Sequence, residues 1–188
     1  MKKGLIIGAM LLLAGCSSTI ENTYYQLPAG SNVARVDSAS SGNQPMIWVE
    51  QVSVPDYMAG NGLVYQTSDV KYVIAANNLW ASPLDQQLQQ TLITNLSKAL
   101  PGRIVASAPL GESHDTLTVS VTGFQGRYDG QVVVSGEWLL QHQGRLIKHG
   151  FNLTLPQNED GYDALVRTLA IGWQQTAQQI AKSVISLN

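Results

Sequence analysis

The residues of this 188-residue chain that could carry chemistry are three histidines, one cysteine and thirteen carboxylates. Their spacing argues against catalysis. His114, His142 and His149 do not fall at metal-ligand spacing on one helix, and Cys16 lies far upstream of all three. Ser113-His114-Asp115 has the letters of a catalytic triad, but adjacent residues do not converge in triad geometry. Gly60-Asn61-Gly62 lacks the third glycine and the following helix of a phosphate loop. Gly126-Arg127-Tyr128-Asp129-Gly130 reads as a hairpin loop, and no nucleophile elbow or helix-borne His-Glu zinc motif occurs. Asp56, Asp69, Asp85 and Asp129 are accounted for as caps and turn residues. The expectation is a non-enzymatic protein without metal or cofactor. A sequence pI of about 5.8 and the lack of a basic block exclude the usual footprint of nucleic-acid binding.

Cys16 is the residue whose surroundings specify a reaction. Lys2 and Lys3 form a basic head, residues 4–14 carry no charge, and Gly15 precedes the cysteine. That is the pattern of an export signal, and the apolar run is too short for a membrane span. Leu13-Ala14-Gly15-Cys16 resembles a bacterial lipobox. The resemblance implies removal of residues 1–15 and an N-palmitoyl, S-diacylglycerol cysteine at Cys16 as the new N-terminus. Several acyl chains exceed what stable membrane anchoring needs. Ser17 and Ser18 follow, without the aspartate that retains enterobacterial lipoproteins in the inner membrane, which implies the periplasmic face of the outer membrane. Cleavage removes two of the eleven basic residues and leaves the mature chain acidic.

The rest of the chain reads as one domain, residues 24–188, behind a short tether, residues 16–23. Residues 24–27 are strand-like and end at Pro28, and residues 29–45, rich in Ser, Gly, Asn and Ala, read as a mobile loop. Residues 46–54 alternate as a strand, and residues 63–68 and 71–75 form a hairpin around Ser68-Asp69. Leu84, Leu88, Leu92, Leu96 and Leu100 mark a helix with Ser82 as N-cap and Pro83 in its first turn. Residues 116–125, 131–141 and 145–155 form a three-strand meander joined by Asp129-Gly130 and Gln143-Gly144. A second helical stripe runs from Tyr162 through Leu169, Trp173 and Ile180 to Leu187. The fold class expected is α+β: an antiparallel sheet with two amphipathic helices packed on one face. Trp48, Trp138 and Trp173 are expected in the core. Tyr57 and Trp80, read as loop aromatics near prolines, are expected at an interface.

Trp48-Val49-Glu50-Gln51-Val52, Pro55-Asp56-Tyr57, residues 64–69 and residues 78–85 resemble the auxiliary lipoproteins of ABC-type and MCE-type transport systems. Gly126-Arg127-Tyr128-Asp129-Gly130 and Val134-Ser135-Gly136-Glu137-Trp138 fit the same family, and the resemblance extends from the lipobox to the last helix. It implies a component that holds the outer-membrane end of a periplasmic bridge for lipid or other hydrophobic cargo. The implied partners are an MCE protein that builds a hollow tube and, through it, an inner-membrane protein. Docking onto a cyclic tube would favour a homo-oligomeric ring. The loops around Tyr57, Asn61, Asp69 and Trp80 are the candidate docking residues. Two other classes remain open: a stand-alone lipid or lipoprotein carrier, which needs an apolar cavity of about 300–1,000 Å3, and a hydrolase, which needs convergent polar side chains.

Overall fold

A computed structural model describes residues 21–29, 44–109 and 113–187. Residues 1–15 and Cys16, most of the expected tether and most of the loop at 29–45 lie outside these. Eight strands and three helices follow in the order β1 (Thr23–Tyr25), β2 (Met46–Ser53), α1 (Asp56–Ala59), β3 (Gly62–Gln66), β4 (Tyr72–Trp80), α2 (Leu84–Ala99), β5 (Ile104–Ala106), β6 (Asp115–Arg127), β7 (Gln131–His142), β8 (Arg145–Pro156) and α3 (Tyr162–Ile185).

The meander β6–β7–β8 is antiparallel, with left-handed glycines at Gly130 and Gly144 turning its two hairpins. The sheet as a whole is mixed, which corrects the antiparallel expectation. β2 runs parallel to both β5 and β6, β3 is parallel to β6, and β1 is parallel to β4. The physical reason lies in the connections: the chain passes through α1 between β2 and β3 instead of turning back in a tight hairpin, and both strands then lie along β6 in its own direction. β6 is long enough to pair β7 along one edge and to divide its other edge between β2 and β3. The sheet therefore forks.

Two register shifts adapt the strands to the core. In β2, Ile47 and Val49 are buried, and then Val52 is, because the pairing slips between Val49 and Gln51. β6 does the same: Leu117, Val119 and Val121 face inward, the pairing slips before Gly123, and Phe124 takes the next inward place. The Phe124 N–H in this irregular stretch donates to the side chain of buried Gln125 at 2.6 Å, so it is not left without an acceptor.

α2 and α3 lie side by side on one face of the sheet. α2 buries Leu84, Leu88, Leu92 and Leu96, and Pro83, rather than Ser82, occupies its N-cap position. The side chain of Gln87 does the local work there, donating to the Ser82 carbonyl at 2.8 Å while accepting from the Leu27 N–H at 2.7 Å. Trp173 of α3 is fully buried between Phe124 and Phe151, and its indole N–H donates to the Leu88 carbonyl at 3.0 Å. One side chain thus ties both helices to the sheet. Trp48 departs from its expected core position: it is half-buried, its indole N–H donates to Ser107 O, and its ring meets His114 edge-on.

Gly172 sets the closeness of helix and sheet. A Cβ there would stand 2.7 Å from Val134 Cγ2. Gly172→Ala should therefore lower stability, because overpacking costs about 1–3 kcal/mol against about 1 kcal/mol gained in helix propensity. Urea denaturation measures the difference, and an unchanged or higher midpoint would show that α3 shifts freely.

Candidate interaction surface

The β3–β4 turn is closed by backbone bonds from Thr67 N to Lys71 O at 2.8 Å, with Gln66 Nε2 donating to Asp69 O at 3.2 Å. Beyond this frame the sequence Val70-Lys71-Tyr72-Val73-Ile74 abandons strand alternation. Val70 is 76% exposed, Tyr72 44%, Val73 52% and Ile74 51%. Successive strand residues point to opposite faces, so exposure of three in a row means that both faces of β4 are partly open there, with the Tyr72 ring resting on Tyr57. The Tyr128 N–H donates to Gln66 O at 2.9 Å and brings the β6–β7 turn alongside, with the Tyr128 side chain also exposed. Next to it Arg127 and Asp129 form an exposed ion pair, and the bond from Arg127 holds the Asp129 carboxyl below its ordinary pKa.

The residues expected from sequence fall unevenly around this turn. Asp69 lies in it and is exposed. Tyr57, in α1, packs its ring 5.2 Å from that of Tyr72 and donates its hydroxyl to Thr122 O at 3.1 Å. Asn61 is exposed at the base of the hairpin, where its carbonyl accepts from Trp80 N at 2.6 Å. Trp80 is not a loop residue: it ends β4, is 3% exposed and packs 6.3 Å from Phe124 in the core. Its indole is unavailable to a partner. Val70, Tyr72, Val73, Ile74 and Tyr128 are not among the docking residues expected from sequence, where the β-prone run Tyr72-Val73-Ile74 beside the turn was the available signal.

A second cluster is buried at the opposite end of β6. Asp115 accepts from Arg103 Nη1 at 3.0 Å, and both its carboxylate oxygens lie within 3.0 Å of His142 Nδ1. The side chains are 8–11% exposed. His142 is thus the last residue of β7 and part of a buried polar network. The partner of Asp115 is not its neighbour His114, whose ring packs on Trp48. The arrangement fixes the segment after α2 against the first pair of the meander. Nothing in it offers a nucleophile, and no group of three or more metal-ligating side chains occurs among the described residues. No helix among them is long and apolar enough to cross a membrane.

A depression of about 290 Å3 beside the β6–β7 turn is lined by Tyr65, Gln157, Asp160, Tyr162 and Leu165 with Gly130 and Gly161, a mixed polar surface. Between sheet and helices the space is taken up by Leu88, Leu92, Phe124, Phe151 and Trp173.

Over residues 25–181 the chain matches the family described as the ABC-type transport auxiliary lipoprotein component, and it belongs to that family. It is 62% identical, over 98% of its own length and 98% of theirs, to the intermembrane transport lipoprotein PqiC of Escherichia coli (strain K12) and of Shigella flexneri. Among solved structures, it resembles a crystal structure of an uncharacterized protein at 60% identity and a TM-score of 0.79, covering 87% of this chain and 99% of that one. A protein from Xanthomonas campestris shares the fold at 15% identity, with a TM-score of 0.67 over 88% of this chain and 100% of the other.

Two outcomes are expected of this architecture. Asp115→Ala removes the buried carboxylate that Arg103 and His142 share and should cost about 3–5 kcal/mol in urea denaturation. A loss below about 1 kcal/mol would mean that water already screens the cluster. Burial first, and the neighbouring Tyr72 second, raise the Tyr57 phenol above its ordinary pKa of 10.0. Its contribution is whole below that value and drains away as pH rises through the folded-state pKa, because the unfolded phenol ionises first. Tyr57→Phe should therefore flatten the alkaline fall in stability, read as the urea midpoint against pH.

Proposed function

We propose that this chain is the outer-membrane lipoprotein of a Pqi-type intermembrane transport system. In this reading Cys16 carries the lipid, and the folded domain holds the periplasmic end of the complex. The partners are an MCE protein of the PqiB type and, through it, an inner-membrane protein of the PqiA type. The observation that carries the reading is the 62% identity to PqiC over 98% of the chain, with the lipobox-like sequence ending at Cys16.

The architecture is consistent with a structural component rather than a catalyst or a carrier. A carrier needs an enclosed apolar volume of several hundred Å3, whereas leucines and aromatics fill the space under both helices. A hydrolase needs a nucleophile beside a base, whereas the buried His142 is paired with Asp115, which Arg103 also binds. The exposed loops at Asn61 and Asp69 are the remaining surface candidates for docking, with Tyr57 beside them. A ring of copies would suit a cyclic tube.

In-cell photocrosslinking from Asn61 and Asp69, followed by identification of the captured proteins, tests the partnership. Recovery of an MCE protein is expected, and its absence from both positions would sink the reading. Cys16→Ser should release the protein from the outer-membrane fraction into the periplasm. Retention in the membrane would refute the anchor.

A further inference from the structure

The turn between β3 and β4 is the most exposed apolar feature among the described residues, and strand directions fix its position relative to the N-terminus. β1 is parallel to β4, with Thr23 opposite Asn78, Tyr24 opposite Leu79 and Tyr25 opposite Trp80. The chain preceding Thr23 therefore leaves β1 on the side where β4 begins, which is the side of Tyr72 and Val70. β4 is antiparallel to β3, and the last residues of β3 pair with Gly126 and Arg127 at the end of β6. The β3–β4 turn, Tyr128 and the exit of the N-terminal segment thus share one end of the molecule.

We propose that this end, formed by Val70, Tyr72, Val73, Ile74 and Tyr128, rests in the surface of the bilayer that holds the Cys16 lipid. The proposal deepens the reading of Cys16 as the lipidated residue and rests on it. Length decides how close the contact must be. From Cys16 to Thr23 there are seven steps, at most about 25 Å when fully extended. From the level of Leu79 back to Tyr72 the distance is only about 13 Å, four steps of β3, because Gly62 pairs with Leu79 and Gln66 with Tyr72 across a bulge in the pairing. A leash running toward this end reaches about 12 Å past Tyr72 before it is taut. Val70, in the turn beyond Tyr72, is held within that distance of the headgroups.

The residue types suit that place. Tyrosines favour the boundary, where the ring is apolar and the hydroxyl is wet. Val70, Val73 and Ile74 expose β-branched side chains on both faces of a projecting hairpin, as a wedge entering a slab requires and as a strand lying on solvent does not. Asp69 and Lys71 in the same turn offset one another, and the mature chain is acidic, so apolar insertion rather than charge drives the contact. A membrane-facing tip also fixes orientation: the Arg103–Asp115–His142 end of β6 is directed away from the bilayer.

The test uses the full lipidated protein reconstituted in phosphatidylethanolamine–phosphatidylglycerol vesicles. Cys16 is the only cysteine in the sequence, so with its sulfur acylated, Val70→Cys supplies the sole free thiol for a polarity-sensitive fluorophore. Leu146→Cys provides a control at the other end, where Leu146 is 68% exposed beside Gln141. Doxyl-labelled lipids should quench the label at 70 severalfold more strongly than the label at 146, with a blue-shifted emission at 70 only. Tyr128→Cys should behave like 70. Floating, lipidated protein whose label at 70 stays unquenched and solvent-like overturns this proposal alone. A blue shift without doxyl quenching that grows with protein density would assign the patch to a second copy and overturn it as well. Protein that does not float, has a reactive thiol at Cys16 and lacks acyl mass would take down the anchor reading together with this one.

Discussion

The architecture depends on the unequal edges of β6. One edge is bonded to β7 from Thr116 to Gly126, and the other is shared by β2 at its start and β3 at its end. A regular strand would present one flat face throughout. The slip between Val121 and Gly123 turns the face partway, so that Leu117, Val119 and Val121 serve one part of the core and Phe124 serves the other. Phe124 then meets both Trp80 and Trp173. Through Trp173 the same junction reaches the carbonyl of Leu88, which places the α2–α3 pair. Forking at β6 is also what allows the β3–β4 hairpin to extend past the area covered by the helices.

Much of this was legible in the residues. Regular apolar spacing marked α2 and α3, and glycine turns marked the meander, because helix stripes and tight hairpins are local patterns. The parallel pairings were not legible, since no short turn announces a partner that arrives after a helix. β5 has three residues and no alternation to detect. Trp80 looked like a loop aromatic because β4 runs on past Ala75, through Asn77 and Asn78, which are poor strand formers. Trp48 looked like a core residue because alternation alone cannot say which face of β2 is covered.

The candidate surface was half legible. Asn61 and Asp69 carry turn chemistry and are exposed, as turn residues usually are. The apolar tip required knowing that both faces at the start of β4 are only partly covered, which is a property of sheet topology. Asp115 and His142 could not be joined from sequence either. They become neighbours because the meander sets the start of one strand beside the end of the next, and Arg103 reaches them only because α2 has crossed the sheet.

β1 has a mechanical meaning. Three residue pairs hold it to β4, the Ala81 N–H donates to Tyr25 O at 2.8 Å, and the Leu27 N–H donates to the Gln87 side chain just beyond. A pull on the chain ahead of Thr23 in line with β1 runs along the strand, so it loads these bonds in shear and together, where a perpendicular pull would break them one at a time. The parallel direction of so short a strand makes the N-terminal attachment stiffer than its length suggests, and tension on the leash passes through Gln87 into the first turn of α2.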